Sequence, residues 1–333
     1  MHWVISRGIS AVKSETPQYG LGVQPFPAPP AGFDLEKASD TERAKYGMPR
    51  LHRLPALERR WVEATRGTRF ITPKLTPGES VLPQRDAGDV ELDDVLYDSQ
   101  FVGCTVMAPG YEGGVASAHP FAAVYGWFNV PEVWPGASAQ AGVQQSLSPW
   151  VGMGFWLGGS ILQAGCACTV TPADTPLGES QYLYAPWFEW WPNQATYLTS
   201  EDVQHPDPLA VPGDQFVCSL LYCPWIIPEL SDDGIDALGL LSNRTQGWSC
   251  LISASGPDEH PFYGYDADWI IEVHPTGFPQ MSAVQFTNCQ TWTKNDISLT
   301  SAAGDTTDLV DLNNNVLATA TLNPPDKVYI TAP

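Results

Sequence analysis

Past residue 90 the chain almost runs out of cations. Residues 91–333 contain Arg244, Lys294 and Lys327 as their only Lys or Arg, against 27 Asp and Glu, a net of −24, whereas residues 1–90 carry 13 Lys and Arg against 10 Asp and Glu, a net of +3. A region so poor in cations does not hold phosphates, which argues against nucleic acid as a partner. What remains for the carboxylates is solubility, or a protein built for acid, where most of them become neutral and their mutual repulsion is relieved as pH falls.

Long apolar runs are missing too. No stretch is long enough to span a bilayer, and no apolar run follows the charges near Met1 as in an export leader, so no membrane partner is expected and the place of action stays open. The seven cysteines cannot all pair within one chain, and none forms a Cys-x-x-Cys pair. Six dispersed His include no His-Glu-x-x-His pair, so neither a metal nor an organic cofactor is implied. Cys166 and Cys168 fall on one face of a strand, where thiols commonly pack as small hydrophobes. A Gly-x-Ser-x-Gly elbow and an Asp-Thr-Gly or Asp-Ser-Gly loop are also absent, and the serine and aspartic routes to hydrolysis lose ground with them.

What the chain does have is β signal. Trp, Tyr, Phe, Val, Ile and Thr recur in short runs separated by Gly, Pro, Asn and Asp, and helix-periodic stretches after residue 90 are hard to find. The expected architecture is all-β, a sandwich of two antiparallel sheets over residues 91–333. Residues 1–90 read as a mostly helical or irregular extension. Ser39 and Glu42 fit a capping box, with Gly47 and Pro49 closing that helix. Pro55 opens a second helix with Leu54, Leu57, Trp61 and Val62 on one face, and Gly67 ends it. The opposite charges of the two regions suggest a pro-segment docked on the acidic domain, held partly by charge and released as carboxylates protonate.

Two strand-like segments each carry one polar residue suited to hydrolysis: ILQAG, with Gln163, and DADWIIE, with Glu272. Between and before them lie PWVGMGFWLGG from Pro149 and PWFEWWPN from Pro186. In this order, together with FAAVYGWFNVP from Phe121, the Gly213-Asp214 turn, the Asn243–Gly247 hairpin and VQFTNC ending at Cys289, these motifs resemble the glutamic peptidases, or eqolisins, peptidase family G1, over about the last 240 residues.

The resemblance implies a lectin-like, concanavalin-type jelly roll and an acid-acting endopeptidase whose catalytic residues are Gln163 and Glu272, with Trp150, Trp187 and Glu189 lining the cleft and a protein or peptide as substrate. It also implies secretion. Three positions depart from its pattern: Gly154, Ala167 and Ala185 stand where Asp is common. A period of two places Asp268, Ile270 and Glu272 on one strand face and sets Trp187, Glu189 and Trp191 opposite Phe188 and Trp190. The alternative from another class is a noncatalytic β-sandwich that stacks sugar rings on its Trp and Tyr residues; it needs no Gln and Glu converging on one point.

Overall fold

The computed structural model describes residues 22–78, 97–98, 100–111, 117–154, 159–175, 178–200, 207–257, 259–273, 277–311 and 313–333. The expected boundary near residue 90 and residues 155–158 of the first Trp motif lie outside them. In chain order the elements are β1 (Gln24–Pro25), α1 (Asp40–Lys45), α2 (Pro55–Thr65), β2 (Arg69–Phe70), β3 (Lys74–Pro77), β4 (Tyr97–Asp98), β5 (Phe101–Met107), β6 (Phe121–Asn129), β7 (Val133–Trp134) and β8 (Gln145–Met153). Next come β9 (Ile161–Thr171), β10 (Gln181–Trp191), β11 (Thr196–Thr199), β12 (Gln215–Tyr222), the one-turn helices α3 (Cys223–Ile226) and α4 (Pro228–Asp232), and β13 (Ala237–Asn243). The chain ends with β14 (Trp248–Ala254), β15 (Asp266–Val273), β16 (Gln280–Met281), β17 (Val284–Thr293), β18 (Ser298–Thr300), β19 (Asp305–Val310), β20 (Val316–Asn323) and β21 (Lys327–Thr331).

The described fold is all-β with few helices, and its strands pair antiparallel except β2 with β14 and β4 with β19. One run of strands goes β5–β15–β8–β9–β10–β11–β3. A second goes β21–β17–β6–β12–β13–β14, with β1 and β2 both added to β14. At one side β19 pairs with β5 and β20, and β20 with β21, which joins the two runs.

Alternating side chains explain the central core. Ala267, Trp269 and Ile271 of β15, Leu162, Ala164, Cys166 and Cys168 of β9, Phe188 and Trp190 of β10, and Phe216, Cys218 and Leu220 of β12 all enter one apolar cluster. Cys166 and Cys168 therefore pack as small hydrophobes, as their spacing suggests. All seven cysteines are buried and free, and burial, with Asp268 and Asp305 adding to it, pushes the Cys104 thiol up to about 12.

The extension follows its local signals. Glu42 N–H donates to Ser39 Oγ at 3.3 Å and Ser39 N–H to Glu42 Oε2 at 2.9 Å, the expected capping box. α2 starts at Pro55 and buries Leu57, Trp61 and Ala64. These residues, with Leu51 and Leu54, pack on Tyr125, Val217, Leu221, Leu238, Leu240 and Leu251 of the second run's outer face. Trp61 Nε1 donates to Ser219 Oγ there at 2.8 Å. Ion pairs tie residues 34–66 to one another. The described part of the extension is thus seated by apolar burial and hydrogen bonds. Among described residues no helix is long and apolar enough to cross a membrane.

Candidate active site

The face of the first run that points away from the central core carries every expected site residue. Strand register sets them in rows. In one row Asp268 of β15 opposes Gly152 of β8, Gly152 opposes Gln163 of β9, and Gln163 opposes Glu189 of β10. The adjacent row on this face runs Ile270, Trp150, Gly165, Trp187, Tyr197 and Thr76 across β15, β8, β9, β10, β11 and β3. In a third row Glu272 stands opposite Ser148. Trp150, Trp187, Ile161, Ala167, Ala195, Ile270 and Phe101 form the apolar cluster of this face, separate from the core behind it, and Trp191 and Tyr197 pack against it.

Two glycines in the rows are closely packed. A Cβ on Gly152 would meet the Trp150 ring at 2.8 Å and Gln163 Cβ at 3.1 Å, and one on Gly165 would meet Pro149 O at 2.3 Å. The Trp150 ring fills the space over Gly152, and Gly165 packs against the backbone of Pro149 and Trp150. Gln163 and Glu272 share this face with β8 between them. They are offset by four residues, about 13 Å of strand rise. To meet at one point their side chains must lean toward each other past Trp150, which stands midway between them on β8.

Hydrogen bonds fix one half of the site. Gln163 Nε2 donates to Glu189 Oε2 at 2.6 Å, which orients the amide and leaves its second N–H and its oxygen for other work. Gln163 Oε1, Trp187 Nε1 and Ser148 Oγ are buried and have no hydrogen-bond partner among the described residues. Gln163, Glu189, Glu272, Asp268, Ser148, Trp150 and Trp187 are each 0 % exposed, so the site face is closed to solvent in this form of the chain.

All five expected site residues therefore come to one face, and Trp187, Glu189 and Trp191 do project away from Phe188 and Trp190. Two residues of this face were not anticipated. Asp266 Oδ1 accepts the Gly154 N–H at 2.7 Å, so a carboxylate does stand beside one of the three positions where the family's Asp is missing. Gly154 itself has φ +94, and a Cβ there would meet Ser160 O at 2.6 Å, which rules out a restored side chain without a backbone shift. The period of two that groups Asp268 with Glu272 also includes Asp266. Ser148 was the other omission, and its parity with Trp150 was its only signal. Ala167 and Ala185, the remaining departures, oppose each other across β9 and β10; two Asp there would face one another as like charges, so their joint replacement removes a repulsion.

The chain matches the model of the Peptidase A4 family over residues 110–212 and 236–332. A crystal structure of scytalido-glutamic peptidase with a peptide based transition state analog is similar at 20 % identity and a TM-score of 0.51, covering 71 % of this chain and 99 % of that one. A second structure of that peptidase, with a transition state analog inhibitor, gives the same values. The aspergilloglutamic peptidase from Aspergillus niger is 22 % identical over 56 % of this chain and 99 % of its own, with a TM-score of 0.43. No curated protein matches. With the family model matched on both sides of β12 and over more than half of its length, the chain belongs to the Peptidase A4 family, the glutamic endopeptidases or eqolisins.

Proposed function

We propose that this glutamic peptidase hydrolyses peptide bonds in acid with Glu272 and Gln163 as its catalytic residues, on a face formed by one sheet of a two-sheet, jelly-roll β-sandwich. The observation that carries the reading is the buried Gln163 amide, held at Nε2 by Glu189 while Oε1 stays without a partner among the described residues. Such an amide accepts from a water through Oε1 and donates its second N–H to the oxyanion of a tetrahedral intermediate. Glu272 takes a proton from the attacking water as the C–O bond forms, then returns it to the amine as the C–N bond breaks. An amide keeps both functions at any pH. A histidine base, with an ordinary value near 6.5, is protonated in acid, whereas a glutamate, near 4.3, still ionises there.

The substrate is a protein or peptide, by likeness to the scytalido-glutamic peptidase crystallised with a peptide based analog. Trp150 and Trp187 serve as the walls that hold it. The closed site also supports a pro-segment within residues 1–90. The described extension reaches this face: β3 pairs with β11, and a Cβ on Gly78 would lie 2.3 Å from the ring of Tyr197.

The test is digestion of a denatured protein at about pH 3 to 5, spanning the ordinary glutamate value, with pepstatin present to silence aspartic peptidases. Parent activity should disappear in Glu272→Gln and in Gln163→Ala. Cleavage that survives either change refutes the assignment, and a chain that stays full length while cleaving normally refutes the pro-segment.

A further inference from the structure

Three polar atoms on the site face remain unexplained by their surroundings. Buried polar groups in native proteins are nearly always hydrogen-bonded, so an orphan on a functional face marks a place where something else binds. Gln163 Oε1 is one and is already used by the proposed reaction. Trp187 Nε1 and Ser148 Oγ are donors, each on a residue that is 0 % exposed, with no partner among the described residues. Their rows put Trp187 directly across from Gly165 and Ser148 on β8, two residues before Trp150.

Ser148 has a special neighbour. It is the cross-strand partner of Glu272, and directly opposed side chains in an antiparallel pair stand about 4.5 to 5.5 Å apart at Cβ. A serine hydroxyl turns freely about one bond, so it reaches either the carboxylate or a group that the carboxylate holds.

We infer that Ser148 is a positioning residue of the reaction centre: once substrate is bound, its hydroxyl, unpartnered in the free chain, donates to Glu272 or to the water that Glu272 activates, and fixes the base against the substrate carbonyl. Trp187 Nε1 supplies the matching donor on β10, for a main-chain oxygen of the bound peptide. The inference rests on the proposed role of Glu272 and adds to it the group that tunes the base. A donor to the ionised form favours ionisation, so the hydroxyl keeps Glu272 usable at lower pH. The other titratable groups that face this site are Asp266 and Asp268 on β15, Asp305 on β19, Glu189 on β10, Tyr197 on β11, His260 against the Trp191 ring and, at the far edge, Lys74 on β3; β5, β8 and β9 present none on this face among the described residues.

The experiment compares the parent with Ser148→Ala, Ser148→Thr and Glu272→Gln across the acid pH range on one peptide substrate. In Ser148→Ala, kcat should fall roughly tenfold, the effect of one hydrogen bond, with KM little changed. The acid limb of the kcat profile should move to higher pH, because without the donor Glu272 of the substrate complex keeps its proton longer. Ser148→Thr, which keeps the hydroxyl, should restore both. Stability separates this role from a structural one: removing a buried, unpartnered hydroxyl should leave Tm equal or higher. A Ser148→Ala enzyme with the parent's kcat and acid limb, or one that loses activity together with Tm, overturns the inference while leaving the Gln163 and Glu272 roles standing. A Glu272→Gln variant that stays active removes both.

Discussion

At the scale of single residues, the contact most exposed to test is the one between Gln163 and Glu189. Its 2.6 Å length and fixed polarity set which end of the amide is held by Glu189. A carboxylate is acceptor only when ionised, whereas an amide at 189 can both give and take, so it no longer dictates the orientation of its neighbour. Glu189→Gln is therefore expected to lower kcat about tenfold or more, in line with the loss of a charge-assisted bond, with little change in thermal stability because shape and volume are kept. Steady-state kinetics and a melting curve on the same preparation check it. Full activity in Glu189→Gln would mean that Gln163 is oriented by something else. Gln163 stood out in the sequence through its motif; that its hydrogen bond goes to Glu189 was not legible, because it depends on the β9–β10 register across a turn of the chain.

At the scale of elements, legibility follows locality. Ser39 with Glu42, Pro55 and Gly67 marked helix ends correctly, since caps depend on the few residues around them. Strand parity was equally readable, and it placed Gln163 with Ile161, and Glu272 with Asp268 and Ile270. Pairing between distant strands was not. Nothing in QSLSPW says that Ser148 faces a carboxylate more than 120 residues later, and β2 and β3 are too short for an alternation to show. The joint between α1 and α2 was also invisible, and it has a pH dependence of its own. Glu58 Oε1 receives Arg43 Nη1 at 2.7 Å and Arg50 Nη1 at 3.3 Å, while its Oε2 accepts the Leu51 N–H at 2.9 Å. Burial pushes its pKa up, but the Leu51 amide and the two guanidinium groups outweigh that and hold it below the usual value. A carboxyl lowered by folding contributes stability above its unfolded value, near 4.3, and loses that contribution as pH falls through the lowered one. Glu58→Gln should accordingly melt well below the parent at neutral pH, and the gap should close on acidification. A gap that is constant across the titration would assign Glu58 a packing role instead.

At the scale of the whole molecule, the question is what happens to the extension once the chain is cut. Its basic character suggested a segment held partly by charge; Arg53 and Arg60 donate to Trp225 O and Asn288 Oδ1, and α2 sits on an apolar seat. Lifting α2 away would bare Val217, Leu221, Leu238, Leu240 and Leu251 together and strip β1 and β2 from β14. An exposed apolar patch of that kind favours aggregation. Trp61 is the centre of the seat, 2 % exposed and bonded to Ser219, so Trp61→Ala should cost about 3 to 5 kcal/mol. The same reasoning fixes the fate of a nicked chain. With a specific protease site placed between residues 78 and 97 and cut at neutral pH, the two pieces should elute together from a sizing column. They should still do so in about 1 M salt, where charges are screened beyond roughly 3 Å. Trp61→Ala in the same nicked protein should release the N-terminal piece. Separation of the parental pieces by salt alone would show that charge holds them after all, and would return the extension to the role of an electrostatic plug.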